Sequence, residues 1–368
     1  MKLLLKFLLM LGAFNTSTTA QRAYLREKEE SSSNEAHARS LVLDPRTVQL
    51  KDDAVAKDDA VEHYRKNLDQ KRQQDDGWVH DEVWFNEQAK KGCCPFAAML
   101  YDTRYAKVEY RCCTTKIAEG KIDPLRAVVG VDYSRLHKNT TILIQGDSLA
   151  EQHFLGMMCF AWSAHNLTVH LRPLSKKKDS SEGVIWSSNI LLHSIGRNAV
   201  ITIQFLRWNR PQIANEEIYD VLEDPHFIVL GGWHHGGTDS SQIERFLNQA
   251  QSRWGSKVIV VDALPSHFPG GVYRGDGDYP NTVEMCKETS SHGHPNINQV
   301  LNMSTRNKTN ITLLNASRLY YNRGNAHIGY ISRGVVGPQG RDCLHWCIAP
   351  GVMDALTRMT LAAVYAMS

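Results

Sequence analysis

The sequence predicts a doubly wound α/β sandwich with a mostly parallel central sheet. Three observations predict it: short apolar runs recur between residues 137 and 368, they are rich in β-branched residues, and helical patterns lie between or after them. A strand buried on both faces reads as a continuous apolar run, because neither face meets water. Strands alternating with helices mark a parallel sheet covered on both sides.

The runs are Thr141–Ile144, Ala199–Phe205, Phe227–Leu230, Val258–Val261 and Ile311–Leu314. Each is short and bounded as a buried strand should be. The helical patterns are Glu151–Ala164, Ser240–Trp254, Asn296–Met303 and Val352–Ala366. In the last, Val352, Leu356, Met359 and Ala363 recur at helical spacing and give one apolar face.

The segments ahead of this domain have other textures. Residues 1–20 have a short basic start, a leucine-rich core and small residues at Thr18 and Ala20, the pattern of a cleaved signal peptide or an uncleaved signal anchor. The core is too short, and too interrupted by Lys6, for a comfortable membrane span. Residues 21–76 are polar and charge-dense, with Lys51-Asp-Asp-Ala-Val repeated from Lys57. Such a stretch buries too little apolar surface to offset its ordering entropy, so it reads as a flexible stem. Residues 77–136 form a cysteine-rich accessory segment with Trp78, Trp84 and two Cys-Cys pairs.

The formal charge of +3 includes Lys2 and Lys6, so loss of the leader leaves about +1. That balance gives no reason to expect a nucleic-acid partner. The even set Cys93, Cys94, Cys112, Cys113, Cys159, Cys286, Cys343 and Cys347 suits disulfides in an oxidising compartment. Glycosylation sequons occur at Asn139, Asn166, Asn302, Asn307, Asn310 and Asn315, all downstream of the leader. Leader, cysteines and sequons together point to the secretory pathway, either the Golgi lumen or the outside of the cell.

Two places carry candidate chemistry. In Ile144-Gln-Gly-Asp-Ser-Leu149 a strand ends and a helix begins. Open parallel sheets bind their ligands at the C-terminal ends of strands. Ser148 there offers a hydroxyl, and its N–H at a helix N-terminus can hold an oxyanion. The plainer reading is that Asp147 or Ser148 only caps the helix. Nearly two hundred residues on, Asp342 and His345 are spaced to act from one tight turn. A serine nucleophile needs a base, and the base needs a partner that fixes its tautomer. Zinc at Cys343, His345 and Cys347 is the competing reading; the spacing fits no standard zinc pattern, and an oxidising compartment favours disulfides.

Taken together, Gly146–Cys159 (GDSLAEQHFLGMMC), Pro265-Ser-His-Phe-Pro-Gly-Gly271, Gly324-Asn-Ala-His327 and Asp342-Cys-Leu-His-Trp-Cys347 resemble the PC-esterase family. That family includes the trichome birefringence-like polysaccharide O-acetyltransferases, and the resemblance spans residues 77–366. It implies an SGNH-like fold, with Ser148 as nucleophile, His345 as general base and Asp342 as its orienter. It also implies that disulfides tie the N-terminal segment to the catalytic domain. Where plant members carry an Asn-Thr-Gly-His segment, this chain has Gly231-Gly-Trp-His-His235. A backbone N–H of Gly231 or Gly232, or the side chain of Asn209, stands in as the second oxyanion donor beside Ser148. Trp233, His234 and His235 suit a sugar-binding loop, and His267 is expected to shape the cleft.

The implied reaction is acyl transfer, acetyl foremost, to a glycan or polysaccharide hydroxyl through an acyl-enzyme. Glycan deacetylation is the runner-up, and a silent glycan-binding protein is the rival from another class. No bound cofactor or metal is expected; acetyl-CoA or a derived donor would be a co-substrate. If the acetyl group starts in the cytosol, a separate membrane protein must deliver it, because this chain lacks multiple spans.

Overall fold

The structure, a computed structural model, describes residues 78–90, 94, 96, 125–127, 129–175, 185–208, 222–233, 240–254, 257–268, 286, 295–306, 310–330, 341–348 and 351–368. The leader, the charged stem, Cys93, Cys112, Cys113, Asn209, His234, His235 and Asn307 lie outside the described residues.

A seven-stranded sheet organises the domain. Its strands are β3 (Thr141–Gly146), β4 (Thr168–Ser175), β5 (Ile185–Leu191), β6 (Val200–Arg207), β7 (Phe227–Gly231), β8 (Lys257–Val261) and β9 (Ile311–Leu314), in the order β4-β5-β6-β3-β7-β8-β9. From β6 to β9 every neighbour is parallel, while β4-β5 and β5-β6 are antiparallel. All five apolar runs are strands of this sheet. The hairpin β4-β5 is an addition that the sequence did not announce.

Strands β7 and β8 are apolar along most of their length because helices cover both faces. On β7, Phe227 and Val229 join one core while Ile228 and Leu230 join the other; β8 divides the same way, with Ile259 and Val261 opposite Val258 and Val260. This is the two-residue alternation of a pleated strand with a buried face on each side. The helices α2 (Ser148–His165) and α6 (Asp354–Met367) build the first core, and α3 (Ser240–Trp254) and α4 (Pro295–Thr305) build the second. The helices fall on all four helical patterns, with ends shifted by a few residues. A short helix, α5 (Ser317–Tyr320), follows β9.

The accessory segment packs on the same domain. Strands β1 (Trp78–His80) and β2 (Leu125–Ala127) pair antiparallel, flanking α1 (Glu82–Lys90). The Trp78 indole N–H donates to the Leu319 carbonyl at 2.7 Å, and Phe85 sits in the first core. The Arg358 side chain on α6 donates to the Val129 carbonyl at 3.0 Å. A disulfide from Cys94 to Cys159 on α2 completes the link, so the tie implied between the N-terminal segment and the main domain is present. A second disulfide joins Cys286 to Cys343, and Cys347 is also disulfide-bonded. Cys343 and Cys347 are thus not free thiolates for a metal.

Candidate active site

β3 lies at the point where the chain changes direction across the sheet. After β3 the chain builds the β4–β6 side; from β7 onward it builds the other. Loops diverge above such a switch point and leave a crevice at the C-terminal strand ends. Ser148 is the first residue of α2, immediately above β3. Asp147 is the helix N-cap, its carboxylate accepting from the Leu149 N–H at 2.8 Å. The capping reading and the chemical reading therefore hold together: Asp147 caps, which leaves the Ser148 hydroxyl for another partner.

That partner is His345. Ser148 Oγ lies 2.7 Å from His345 Nε2, and His345 Nδ1 lies 2.7 Å from Asp342 Oδ2. The Nδ1–H donates to the carboxylate, which leaves the Nε2 lone pair to accept the serine proton. All three side chains are buried. Burial by itself would lower the His345 pKa; the charge and hydrogen bond of Asp342, with help from Asp147 and against Arg207, raise it above the ordinary 6.5.

Asp342 and His345 reach this geometry from a strand, not from the tight turn expected of them. They lie on β11 (Arg341–Trp346), paired antiparallel with β10 (His327–Tyr330). In a regular strand residues three apart point to opposite faces. Here the register shifts between His327 and Gly329, and Asp342 Oδ1 accepts from the N–H groups of Leu344 (3.0 Å) and His345 (2.8 Å). The carboxylate bends its own backbone through a local side-chain turn. That bend puts carboxylate and imidazole on one side.

Further side chains hold the array in place; Gln152 lies in the Gly146–Cys159 stretch that carries the resemblance, but the residue pattern gave neither it nor Arg207 a role. The Gln152 amide brackets Trp346: Nε2–H donates to the Trp346 carbonyl at 2.6 Å, and Oε1 accepts the Trp346 N–H at 3.0 Å. Gln152 stands four residues after Ser148, on the same face of α2, so this clamp sets the separation between the serine helix and the histidine strand. Arg207, at the end of β6, pairs with Glu151 at 2.7 Å, both side chains largely buried. A helix-spacing search from Ser148 would have picked out Glu151 and Gln152; nothing local points to Arg207.

Two glycines let the strand ends close up. A Cβ on Gly146 would stand 2.0 Å from the Gly231 carbonyl oxygen. Gly232 has φ +73°, and a Cβ there would stand 1.9 Å from Asp147 Oδ1. Gly231 and Gly232 therefore border the serine turn.

Two other expectations are corrected. Trp233 is not a sugar platform: it is buried in the second core, and its indole N–H donates to the Val261 carbonyl at 2.6 Å. His267 is wholly buried behind the site, with Nδ1 2.6 Å from His327 Nε2 and Nε2 2.7 Å from the Tyr321 carbonyl. The His327 ring in turn reaches the His345 carbonyl at 3.0 Å and stacks on Trp346. These rings form the floor under His345. Among the described residues, no group of three or more acidic, His or Cys side chains could hold a metal ion.

Residues 237–363 match the family model PC-Esterase, described as the GDSL/SGNH-like acyl-esterase family found in Pmr5 and Cas1p. Over those residues the chain is similar to the PC-esterase family. The match spans about a third of the chain and includes Asp342 and His345; Ser148 lies upstream of it, joined to the PC-esterase stretch through His345. The seven-stranded, mostly parallel sheet agrees with the SGNH-like fold of that description. No curated protein matches the chain.

Proposed function

We propose that this protein is a serine-dependent acyl-transfer enzyme of the secretory pathway that moves an acetyl group onto a glycan hydroxyl. The observation that carries the reading is the continuous contact from Asp342 through His345 to Ser148. In the first half-reaction Ser148 Oγ attacks the donor carbonyl while His345 Nε2 takes its proton. The oxyanion is received by the N–H of Ser148, which has no carbonyl partner within its helix, and by an N–H of Gly231 or Gly232. Collapse expels the donor's leaving group, which recovers the proton from His345, and leaves an acetyl ester on Ser148. In the second half-reaction His345 deprotonates a sugar hydroxyl, which attacks that ester and carries the acetyl group away.

Water in place of the sugar gives hydrolysis with the same groups. The acyl-esterase description of the matched family favours this as the second reading. For the transferase, a cytosolic acetyl donor implies a partner membrane protein: no described helix is long and apolar enough to cross a membrane.

The test incubates the purified protein with an activated acetyl ester and a panel of oligosaccharides, read by mass spectrometry. Acetylated sugar from wild type and none from Ser148→Ala supports the transferase. Free acetate alone, unaffected by sugar and lost in Ser148→Ala, moves the assignment to a carbohydrate esterase. Equal labelling of wild type and Ser148→Ala by a fluorophosphonate, or none of either, would sink the serine mechanism.

A further inference from the structure

Among the described residues, the non-glycine residues with positive φ are Asn139 (57°), Asn166 (51°) and Asn310 (65°). Each is also a sequon asparagine, with Thr141, Thr168 and Thr312 two positions on. Each is exposed, and each stands just ahead of a strand: Asn139 before β3, Asn166 before β4, Asn310 before β9. Asparagine tolerates the left-handed conformation better than most residues, and a single such residue turns the chain sharply at an element end. The conformation explains asparagine alone; it does not require a threonine two residues later in all three cases.

Topology puts the three on one edge of the sheet. β3 and β9 run parallel through β7 and β8, and β4, two antiparallel steps from β6, runs the same way. The strand starts therefore share the edge opposite the one that holds Ser148. Six residues of β3 separate the two edges, about 20 Å at the usual rise per residue. β4, β3 and β9 are the first, fourth and seventh strands in the order, so neighbouring asparagines lie about 14 Å apart at the usual strand spacing.

We infer that Asn139, Asn166 and Asn310 carry N-linked glycans that together cover the N-terminal edge of the sheet. An N-linked glycan is bulky and strongly hydrated and needs a surface position with room around it, which these three turns provide. A protein so covered is closed to macromolecular contact on that edge, and a polymeric substrate approaches from the Ser148 edge. The sequons at Asn302 and Asn315 differ: both border a groove of about 760 Å³ between α4 and β9, and the Asn302 carboxamide donates to the Asn298 carbonyl at 2.8 Å. They are not part of this set.

The inference rests on passage through the secretory pathway and not on the acyl-transfer chemistry. The experiment expresses the full chain in a eukaryotic secretory host. The product is treated with peptide N-glycosidase in heavy-oxygen water, and its peptides are mapped. Heavy aspartate at all three positions is expected. In gel migration the triple variant Asn139→Gly, Asn166→Gly, Asn310→Gly loses three glycan steps. Glycine keeps the left-handed turns, so this variant is expected to fold and to match wild type on a small activated ester. Unmodified asparagine at any of the three in the exported protein overturns the inference, as does recovery of the bare chain from the cytosol. Three occupied sites without ester turnover would uphold it while the enzyme reading failed.

Discussion

Replacing Gln152 by methionine tests whether the spacing between the serine helix and the histidine strand is set by one amide. Methionine is close to glutamine in length but offers Trp346 neither a donor nor a good acceptor. The change deletes two buried hydrogen bonds, at 2.6 and 3.0 Å, and leaves the N–H and C=O of a fully buried residue unmet. Each unmet group costs about 1–3 kcal/mol, so the expected loss of stability is about 2–6 kcal/mol, a large share of a typical domain's total. The kinetic consequence is separate. Trp346 follows His345 directly, and a shift of about 1 Å in a reacting group costs on the order of 10²-fold in rate. Under conditions where both proteins are folded, Gln152→Met should hydrolyse p-nitrophenyl acetate with kcat lowered about 10- to 100-fold and KM little changed. Urea unfolding followed by fluorescence measures the stability term. A normal unfolding midpoint together with kcat within about twofold of wild type would refute the argument.

Other expectations come from the same geometry. His345 must be neutral to accept a proton, and its raised pKa means activity falls as pH drops through a value above 6.5, read as the rising limb of kcat/KM against pH. Asp342→Asn should lower kcat by about 10⁴ and move that limb down in pH, since burial then acts on His345 without the carboxylate. Gly232→Ala should push Asp147 off the Leu149 N–H, at a cost of about 2–4 kcal/mol from the left-handed backbone and the lost cap, measurable as a lowered Tm. His153, fully buried against Thr360, has its pKa lowered to about 3 by burial. Below 6.5 the unfolded chain therefore binds a proton that the folded one refuses, and stability falls by about 3 kcal/mol by about pH 4.5. Asp354, raised to about 7 by burial, acts in the opposite direction above 3.8, so the His153 term is read as the difference between wild type and His153→Gln at two pH values. A pH-independent difference would contradict it.

The sequence was most legible where burial on two sides wrote a continuous apolar run, hence the strands β3 and β6–β9. It was least legible at β4 and β5. There Arg172 and Pro173 interrupt the run, and an antiparallel edge pair needs only one buried face and tolerates such residues. The candidate site divides the same way. Ser148, Asp342 and His345 stand out because the motifs around them occur together and in order; a Gly-Asp-Ser alone is a common local pattern. Their geometry did not stand out, because the bend in β11 depends on a side chain bonding its own backbone. The Glu151–Arg207 pair joins residues far apart in sequence that meet only once β6 lies beside β3. Trp233 misled in the other direction: an aromatic beside two histidines looks like a ligand surface until the position of Val261 is known.

The Ser148–His345 contact spans 197 positions of chain. Between them come the hairpin, four parallel strands and both helices of the second layer, all of which must be set before the imidazole reaches the hydroxyl. Contacts so distant in sequence form late, since the entropy of closing the loop is met only by structure already built around it. A partly folded chain therefore carries Ser148 as an ordinary hydroxyl at a helix start, without the base that would activate it. Any reactivity of Ser148 thus depends on completion of the fold rather than on the serine's own helix end.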